Sequence, residues 1–141
     1  MASLISVSQK CHYALKALFE LAIKYPSDSV TTIDDISSAQ NIPPRFLEQI
    51  LSKLRIAGYV ESRRGNRGGY VMTKDPGTVT IGQVIRNVEG HDDTNPFDSD
   101  SVFSGVWDKA QKATNEVFDK TTFQNLIDNR KDWQKRLDFN I

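Results

Sequence analysis

Residues 63–69 read Arg-Arg-Gly-Asn-Arg-Gly-Gly, so Arg63, Arg64 and Arg67 stand among three glycines. Glycine lets a backbone approach another molecule closely. The arginine guanidinium presents a planar fork of donors that suits phosphate oxygens and the acceptors of a DNA minor groove. A glycine-rich loop could also hold a nucleotide, but no Gly-Lys-Ser/Thr follows and no helix is predicted behind it. The segment therefore indicates contact with nucleic acid.

A second group of polar residues lies on one face of a predicted helix, Pro43–Gly58. Pro44 suits a first helical position, and glycine suits a helix end. The inner face is formed by apolar residues at helical spacing, namely Phe46, Leu47, Ile50, Leu51 and Leu54. The outer face carries groups that can hydrogen-bond base edges or phosphates, namely Arg45, Glu48, Gln49, Ser52, Lys53 and Arg55. Taken alone, this face also fits the solvated side of a core helix.

Charge is distributed unevenly, although the 18 Lys and Arg balance the 18 Asp and Glu. Residues 41–75 hold seven Lys and Arg against three Asp and Glu, whereas residues 91–108 hold five aspartates and no Lys or Arg. One part of the surface can therefore approach a polyanion that another part repels. The acidic stretch His91–Asp100 fits no calcium-loop spacing, so we expect a solvated loop and no metal.

The elements that position these residues begin with a helix near the N-terminus. Ser6-Val-Ser-Gln9 has the pattern of a capping box, and it predicts a helix that runs to about Tyr25. The first turn includes Ser8 and Lys10, small and basic groups at a helix start that suits a phosphate. An ordinary exposed helix start is the alternative.

A helix-turn-helix is predicted next. Thr32-Ile-Asp-Asp35 begins a short helix, and the break Asn41-Ile-Pro-Pro44 leads into the helix already described. Tyr59–Met72 alternates β-prone residues around its glycine-rich centre, which predicts a β-hairpin. We call this hairpin, about residues 59–73, the wing. Helix, turn, helix and arginine-tipped hairpin together predict a winged helix-turn-helix.

Two further helices are predicted after the wing. Thr80-Ile-Gly-Gln83 is a capping box that begins a core helix ended by Gly90. Ser99 or Asp100 is expected to cap a long helix with two apolar stripes. The first stripe, which we assign to dimerisation, comprises Phe103, Val106, Ala110, Ala113 and Val117. The second comprises Trp107, Thr114 and Phe118. Two stripes can serve two surfaces, and small residues allow close helix approach; a plain core helix is the alternative.

Thr121-Thr-Phe-Gln124 begins one more short helix, and the periodicity decays after Asn129 into a tail whose helical content near Trp133 is left open. We expect a mainly α fold with a small β-hairpin, a winged helix-turn-helix domain with a long dimerisation helix. The predicted parts are the DNA-binding domain at 1–90, the acidic loop, dimerisation helix and short helix at 91–129, and the C-terminal tail at 130–141.

Composition bounds the class of protein. A hydrophobic content of 38% and a charged content of 26% are typical of a polar globular domain. No apolar run approaches the roughly 20 residues that span a bilayer, and no signal segment is recognisable, so we expect a cytoplasmic protein without membrane contact. The single Cys11 cannot form an internal disulfide, which agrees with a reducing compartment.

The sequence resembles the Rrf2 family of bacterial transcription regulators over roughly residues 3 to 129. The matching segments are Lys10 with Tyr13-Ala-Leu15, Phe46–Val60, Arg64–Tyr70, Ile81–Gly90 and Thr121–Leu126. The resemblance implies a homodimer on a pseudo-palindromic DNA operator, with the Pro43–Gly58 helix in the major groove and the wing near the minor groove. It places base contacts at Glu48, Gln49 and Ser52, and backbone or minor-groove contacts at Ser8, Lys10, Arg64 and Arg67.

One departure from the family pattern concerns iron. Iron–sulfur members of the family carry three cysteines between the helix that ends near Gly90 and the dimerisation helix, and this chain has none there. Such clusters take about four ligands, mostly cysteine. Cys11 alone cannot supply them, and two chains would offer only two. We therefore expect no cysteine-ligated cluster and no cofactor, as in the cluster-free (CymR-like) branch of the family.

Cluster-free relatives include regulators of cysteine and sulfur metabolism that associate with cysteine synthase. The final residues Asp138-Phe-Asn-Ile141 resemble the Ile-ended tails with which serine acetyltransferases enter the cysteine synthase active site. The hypothesis is that Phe139, Asn140 and Ile141 bind a cysteine synthase. The alternative is an ordinary frayed tail.

Three other functions compete with a DNA-binding repressor. The winged helix could pack on protein rather than DNA, which zero net charge permits and the wing arginines disfavour. A regulator of the same type could instead sense redox state or a small molecule unrelated to sulfur metabolism. An enzyme is the most distant alternative, because the sequence shows no nucleophile–base pair, metal-ligand cluster or phosphate loop.

Overall fold

The computed structural model describes residues 7–26, 29–64, 68–90 and 101–139. They form six α-helices, one two-stranded antiparallel sheet and one 3-10 turn, so the predicted mainly α fold with a small β-hairpin is confirmed. The elements in chain order are α1 (Gln9–Ile23), α2 (Ile33–Gln40), α3 (Pro44–Ile56), β1 (Val60–Arg63), β2 (Gly69–Met72), the 3-10 turn (Pro76–Thr78), α4 (Ile81–Glu89), α5 (Ser104–Lys120) and α6 (Phe123–Phe139). Within these ranges, no helix is long and apolar enough to cross a membrane.

Side-chain caps fix the starts of α1, α2, α4 and α6, the last through Thr122 Oγ1, which accepts from Asn125 N at 3.1 Å. The Thr32 hydroxyl accepts a hydrogen bond from Asp35 N at 3.1 Å, and Thr80 forms with Gln83 the predicted capping box. The predicted cap of α1 was wrong. Ser8, rather than Ser6, is the cap, because its backbone is extended and its Oγ accepts from Cys11 N at 3.1 Å. Gln9 is therefore the first helical residue and cannot occupy the third position of a capping box; Ser6 lies outside the described residues.

The turn between α2 and α3 depends on a left-handed residue. Asn41 has φ of 54° and ends α2, which asparagine tolerates better than most residues. Pro44 opens α3 at its first position, and Gly58, with φ of 86°, follows its last turn. The predicted limits of this helix are thus confirmed. Phe46 departs from the predicted inner stripe: it is 39% exposed, because it lies at the edge of the buried face.

The wing is a short hairpin held against the segment before α2. Val60 pairs with Met72 and Arg63 with Gly69. Thr31 exchanges two backbone hydrogen bonds with Tyr70, at 3.0 and 2.9 Å. A Cβ at Gly69 would lie 2.7 Å from the Thr31 carbonyl oxygen, so only glycine allows this approach. Residues 65–67 of the predicted tip lie outside the described residues.

One hydrophobic core joins the N-terminal helices to α6. Its buried members come from α1, α2, α3, the hairpin, α4 and α6. Phe123, at the start of α6, is fully buried in this core, and its backbone N–H donates to Val79 O at 3.1 Å. The core also encloses the end of Cys11, which is fully buried, and burial raises the pKa of this thiol to about 11. Cys11 is therefore a packing residue with little thiolate at neutral pH.

Two predicted helix limits in the C-terminal part were wrong. The long helix α5 begins at Ser104 rather than near Ser99 or Asp100, and the turn before it is closed by Ser101 Oγ, which accepts from Phe103 N at 2.9 Å. Helix α6 does not end near Asn129 but continues to Phe139. Its last turns contain no Gly or Pro and several good helix formers, so nothing stops the helix there. Residues 130–138 are all exposed.

Replacing Phe123 tests the role of α6 in the core. We expect Phe123→Ala to lower the free energy of unfolding by about 3–5 kcal/mol, because it removes a fully buried ring and leaves a cavity. Urea unfolding followed by circular dichroism measures this. The control is Ile56→Ala, whose side chain is 81% exposed and should cost less than about 1 kcal/mol. Equal losses in the two variants would contradict the role of Phe123.

Candidate nucleic-acid interface

The outer face of α3 presents polar side chains to solvent over its whole length. Because Leu47, Ile50, Leu51 and Leu54 are buried on one side, the helical period places the six polar residues of the predicted outer face on the other. Five of these are exposed and Ser52 is half-buried. The exposed ones are Arg45, Glu48, Gln49, Lys53 and Arg55. They offer both donors and acceptors, as base edges and phosphates require.

An aromatic pair at the start of α3 was not anticipated from the sequence. The rings of Tyr13 and Phe46 have centroids 6.0 Å apart, and the Arg45 guanidinium carbon lies 4.8 Å from the centroid of Phe46. The Tyr13 hydroxyl accepts a hydrogen bond from Gln9 Nε2 at 2.8 Å. This cluster connects the first turns of α1 and α3 and restrains Arg45 on the outer face. The sequence signal that could have predicted this cluster is an aromatic residue, Phe46, at the edge of the apolar stripe of α3.

The wing contributes two exposed arginines, one at the end of β1 and one directly after it. Arg63 and Arg64 are exposed, and Arg63 Nη2 lies 3.4 Å from Glu61 Oε2. Such an exposed ion pair is worth little and can exchange its partner for a phosphate. Together with the first turn of α2, these arginines line an open cleft of about 580 Å³. Arg67, the third predicted wing contact, lies outside the described residues.

The start of α1 lies beside the second half of α3. Lys10 and Lys53 are close enough that the Lys53 ammonium group lowers the pKa of Lys10. The structure therefore brings together two predicted contacts that lie 43 positions apart in the sequence. Ser8, the third predicted contact here, is exposed, and Glu89 at the end of α4 accepts hydrogen bonds from it. No local pattern in the sequence predicted this contact of Glu89.

Helix α5 exposes the stripe assigned to dimerisation. Phe103, Val106 and Val117 are 58%, 57% and 63% exposed. Ala113 is also exposed and Ala110 is half-buried. The second stripe is half-buried and comprises Trp107, Thr114 and Phe118. The two stripes are neighbours on one helix, since the rings of Phe103 and Trp107 stack with centroids 6.0 Å apart. Among the described residues, the packing covers the second stripe more completely than the first.

The arrangement has binding chemistry and no catalytic grouping among the described residues. In residues 7–26, 29–64, 68–90 and 101–139, no three His, Cys, Asp or Glu side chains are placed to hold a metal ion. What the surface offers is a polar helix face, a basic pair at its side and wing arginines beyond it. Such a set can recognise a duplex, with cations positioning the phosphates and the helix face meeting base edges.

Known proteins share both this sequence pattern and this fold. A sequence model of the Rrf2 family, described as iron-dependent transcriptional regulators, matches residues 7–129. The transcriptional regulator CymR of Bacillus subtilis is 35% identical over 126 residues, which are 86% of this chain and 89% of that protein.

Solved structures extend this likeness to three dimensions. The structure of CymR, the global cysteine regulator of B. subtilis, superposes with a TM-score of 0.78 at 35% identity and covers 86% of this chain and 95% of that one. The structure of T. potens IscR superposes equally well, with a TM-score of 0.78 at 32% identity, over 92% of this chain and 91% of that one. The chain therefore belongs to the Rrf2 family and is a DNA-binding transcriptional regulator rather than an enzyme.

Proposed function

We propose that this protein is a homodimeric, sequence-specific repressor that reads a two-fold symmetric operator with α3 and the wing. The observation that carries this proposal is the solvent-facing polar side of α3 with the Lys10–Lys53 pair beside it. In this assignment Glu48, Gln49 and Ser52 contact base edges, and Glu48 accepts a hydrogen bond from cytosine N4. The phosphates and the minor groove are contacted by Ser8, Lys10, Arg45, Lys53, Arg63, Arg64 and Arg67.

Dimerisation through α5 is part of the same proposal. The stripe that contains Phe103, Val106 and Val117 is apolar and more than half exposed in one chain. Burial of such a stripe against its own copy removes apolar surface from water and places two α3 helices about a two-fold axis. A two-fold arrangement is what a symmetric operator requires.

We further propose that the protein works without a cysteine-ligated iron–sulfur cluster. The family description names iron, but the residues of this chain do not fit such a cluster. Its only cysteine, Cys11, is fully buried, and burial raises its thiol pKa to about 11. A cluster needs several thiolates that face one site.

Control of cysteine metabolism completes the proposal. It rests on the likeness to CymR, described as a global cysteine regulator, and on the resemblance of the chain's last residues to cysteine synthase-binding tails. The exposed end of α6 leads into these residues. Asn140 and Ile141 lie outside the described residues, as does the side chain of Phe139. In this hypothesis the signal is the binding of a cysteine synthase.

The first prediction from the proposed function separates phosphate contacts from base contacts. Arg64→Ala should weaken binding to all duplexes alike and reduce the slope of log K against log salt by about one. Glu48→Ala should relax sequence preference at individual base pairs, each worth about 1–3 kcal/mol of discrimination. Fluorescence anisotropy on duplexes selected from genomic fragments measures both.

The matched control for Arg64→Ala is Arg136→Ala on α6, which removes the same charge from an exposed helix and should leave binding unchanged. If the wild-type protein bound no duplex, a role of the winged helix in protein binding would replace this proposal. If Arg64→Ala and Arg136→Ala behaved alike, the wing assignment would be wrong.

The second prediction concerns the dimer. Val106→Glu places a carboxylate in the middle of the exposed stripe, so we expect sedimentation equilibrium to show monomers where the wild type shows dimers. Lys112→Glu is the control, because Lys112 is exposed on the other side of α5. A dimer that persisted in Val106→Glu would place the interface elsewhere.

The third prediction concerns the last residues. Deletion of Ile141 should weaken the affinity for purified cysteine synthase by at least about 10-fold, because an anchor side chain carries much of such an interface. The control is Leu137→Ala, which alters an exposed side chain four positions earlier in the sequence. Equal affinities for the wild type and the deletion variant in a calorimetric titration would eliminate the tail hypothesis without affecting the DNA-binding assignment.

A further inference from the structure

The carboxylate of Glu89 lies at the start of α1, although the two residues are 81 positions apart in the sequence. Its Oε1 accepts a hydrogen bond from the backbone N–H of Ser8 at 3.3 Å and a second from Ser8 Oγ. The same Ser8 Oγ accepts from Cys11 N at 3.1 Å. The Ser8 hydroxyl therefore has a fixed orientation, with its proton directed at Glu89. The last turn of α4 is joined in this way to the first turn of α1.

The position that Glu89 occupies is one that favours an anion. The first N–H groups of a helix have no acceptor within the helix, and the helix dipole is positive there. The first turn of α1 contains no acidic residue of its own that could compensate. A carboxylate from α4 supplies the missing negative charge.

Two cations from separate helices flank this position. Lys10 of α1 and Lys53 of α3 lie close enough to repel one another, since the Lys53 ammonium group is the largest cause of the lowered pKa of Lys10. Glu89 opposes this effect and favours the charged form of Lys10. Both lysines are exposed, so solvent and an incoming polyanion can reach them. The fold thus holds two like charges together beside the carboxylate of Glu89, which comes from the same chain.

We propose that Glu89 substitutes for a DNA backbone phosphate in the free protein and lowers DNA affinity by competing for the start of α1. This inference rests on the proposed function, in which Ser8, Lys10 and Lys53 contact the backbone. A phosphodiester and a carboxylate each carry one negative charge and accept from the same N–H and O–H groups. Only one of them can occupy the position, so DNA binding must displace Glu89 from Ser8.

The test is the substitution Glu89→Gln in the full chain. We expect this variant to bind a mixed-sequence 30-base-pair duplex about 5- to 10-fold more tightly than the wild type, the effect of one charge at a helix terminus. The gain should be equal on a selected operator duplex, because a phosphate contact carries no sequence information. Fluorescence anisotropy at fixed salt measures both affinities.

The matched control is Glu20→Gln, which changes the net charge equally at the other end of α1. Glu20 lies twelve residues from Ser8, or about 18 Å along the helix, and accepts a hydrogen bond from Gln40 that glutamine can also accept. The DNA affinity of the Glu20→Gln variant should remain within about 2-fold of that of the wild type. An equal gain in Glu20→Gln would mean that net charge alone explains the result, and would overturn the inference.

Thermal unfolding distinguishes competition from a structural role. Glu89→Gln is expected to unfold at the same or a lower temperature than the wild type while it binds DNA more tightly. Glu89→Ala removes the carboxylate without adding an amide, and it should show the same gain in DNA affinity. If both variants bound as the wild type does, or more weakly, the inference would fail while DNA binding stood. If the wild type bound neither duplex, the proposed function itself would fail.

Discussion

The burial of α1 is the constraint on which the rest of the structure depends. Its inner face carries Ala14, Ala17 and Ala22, which are at most 2% exposed, together with Leu18 and Leu21. Small residues let neighbouring helices come close, and the leucines fill the space that remains. Helices α2, α3, α4 and α6 all pack against this one helix. The start of α1 therefore has a fixed position relative to α3, and that position places Lys10 beside Lys53.

The same packing gives one hydroxyl two partners in separate helices. Ser8 caps α1 and also donates to the carboxylate at the end of α4. A cap that is shared with a neighbouring helix couples the position of that helix to the electrostatics of the start of α1. Because α4 leads directly into the acidic segment after Gly90, the coupling links the two oppositely charged parts of the chain.

The chain shares the fold of its family, and its one cysteine is buried. The likeness to CymR and IscR extends over most of the fold. This single cysteine, Cys11, is buried in the first turn of α1 and does not lie between α4 and α5. A buried thiol whose pKa is raised to about 11 contributes packing and little reactivity. The signal in this proposal is therefore a bound protein partner rather than a metal cluster.

The sequence by itself determined the helix-turn-helix, the wing and the outer face of α3, because helical period, caps and turn residues are local signals. It determined the stripe on α5 for the same reason. The cap at Ser8 and the continuation of α6 to Phe139 are also local, since one is a hydrogen bond within the first turn of α1 and the other involves only exposed residues. The exposure of Phe46 was decided by the tertiary structure, because it depends on where the buried face of α3 ends. The approach of Glu89 to Ser8 and of Lys10 to Lys53 depends on how separate helices pack against α1, and no local pattern in the chain encodes such distances.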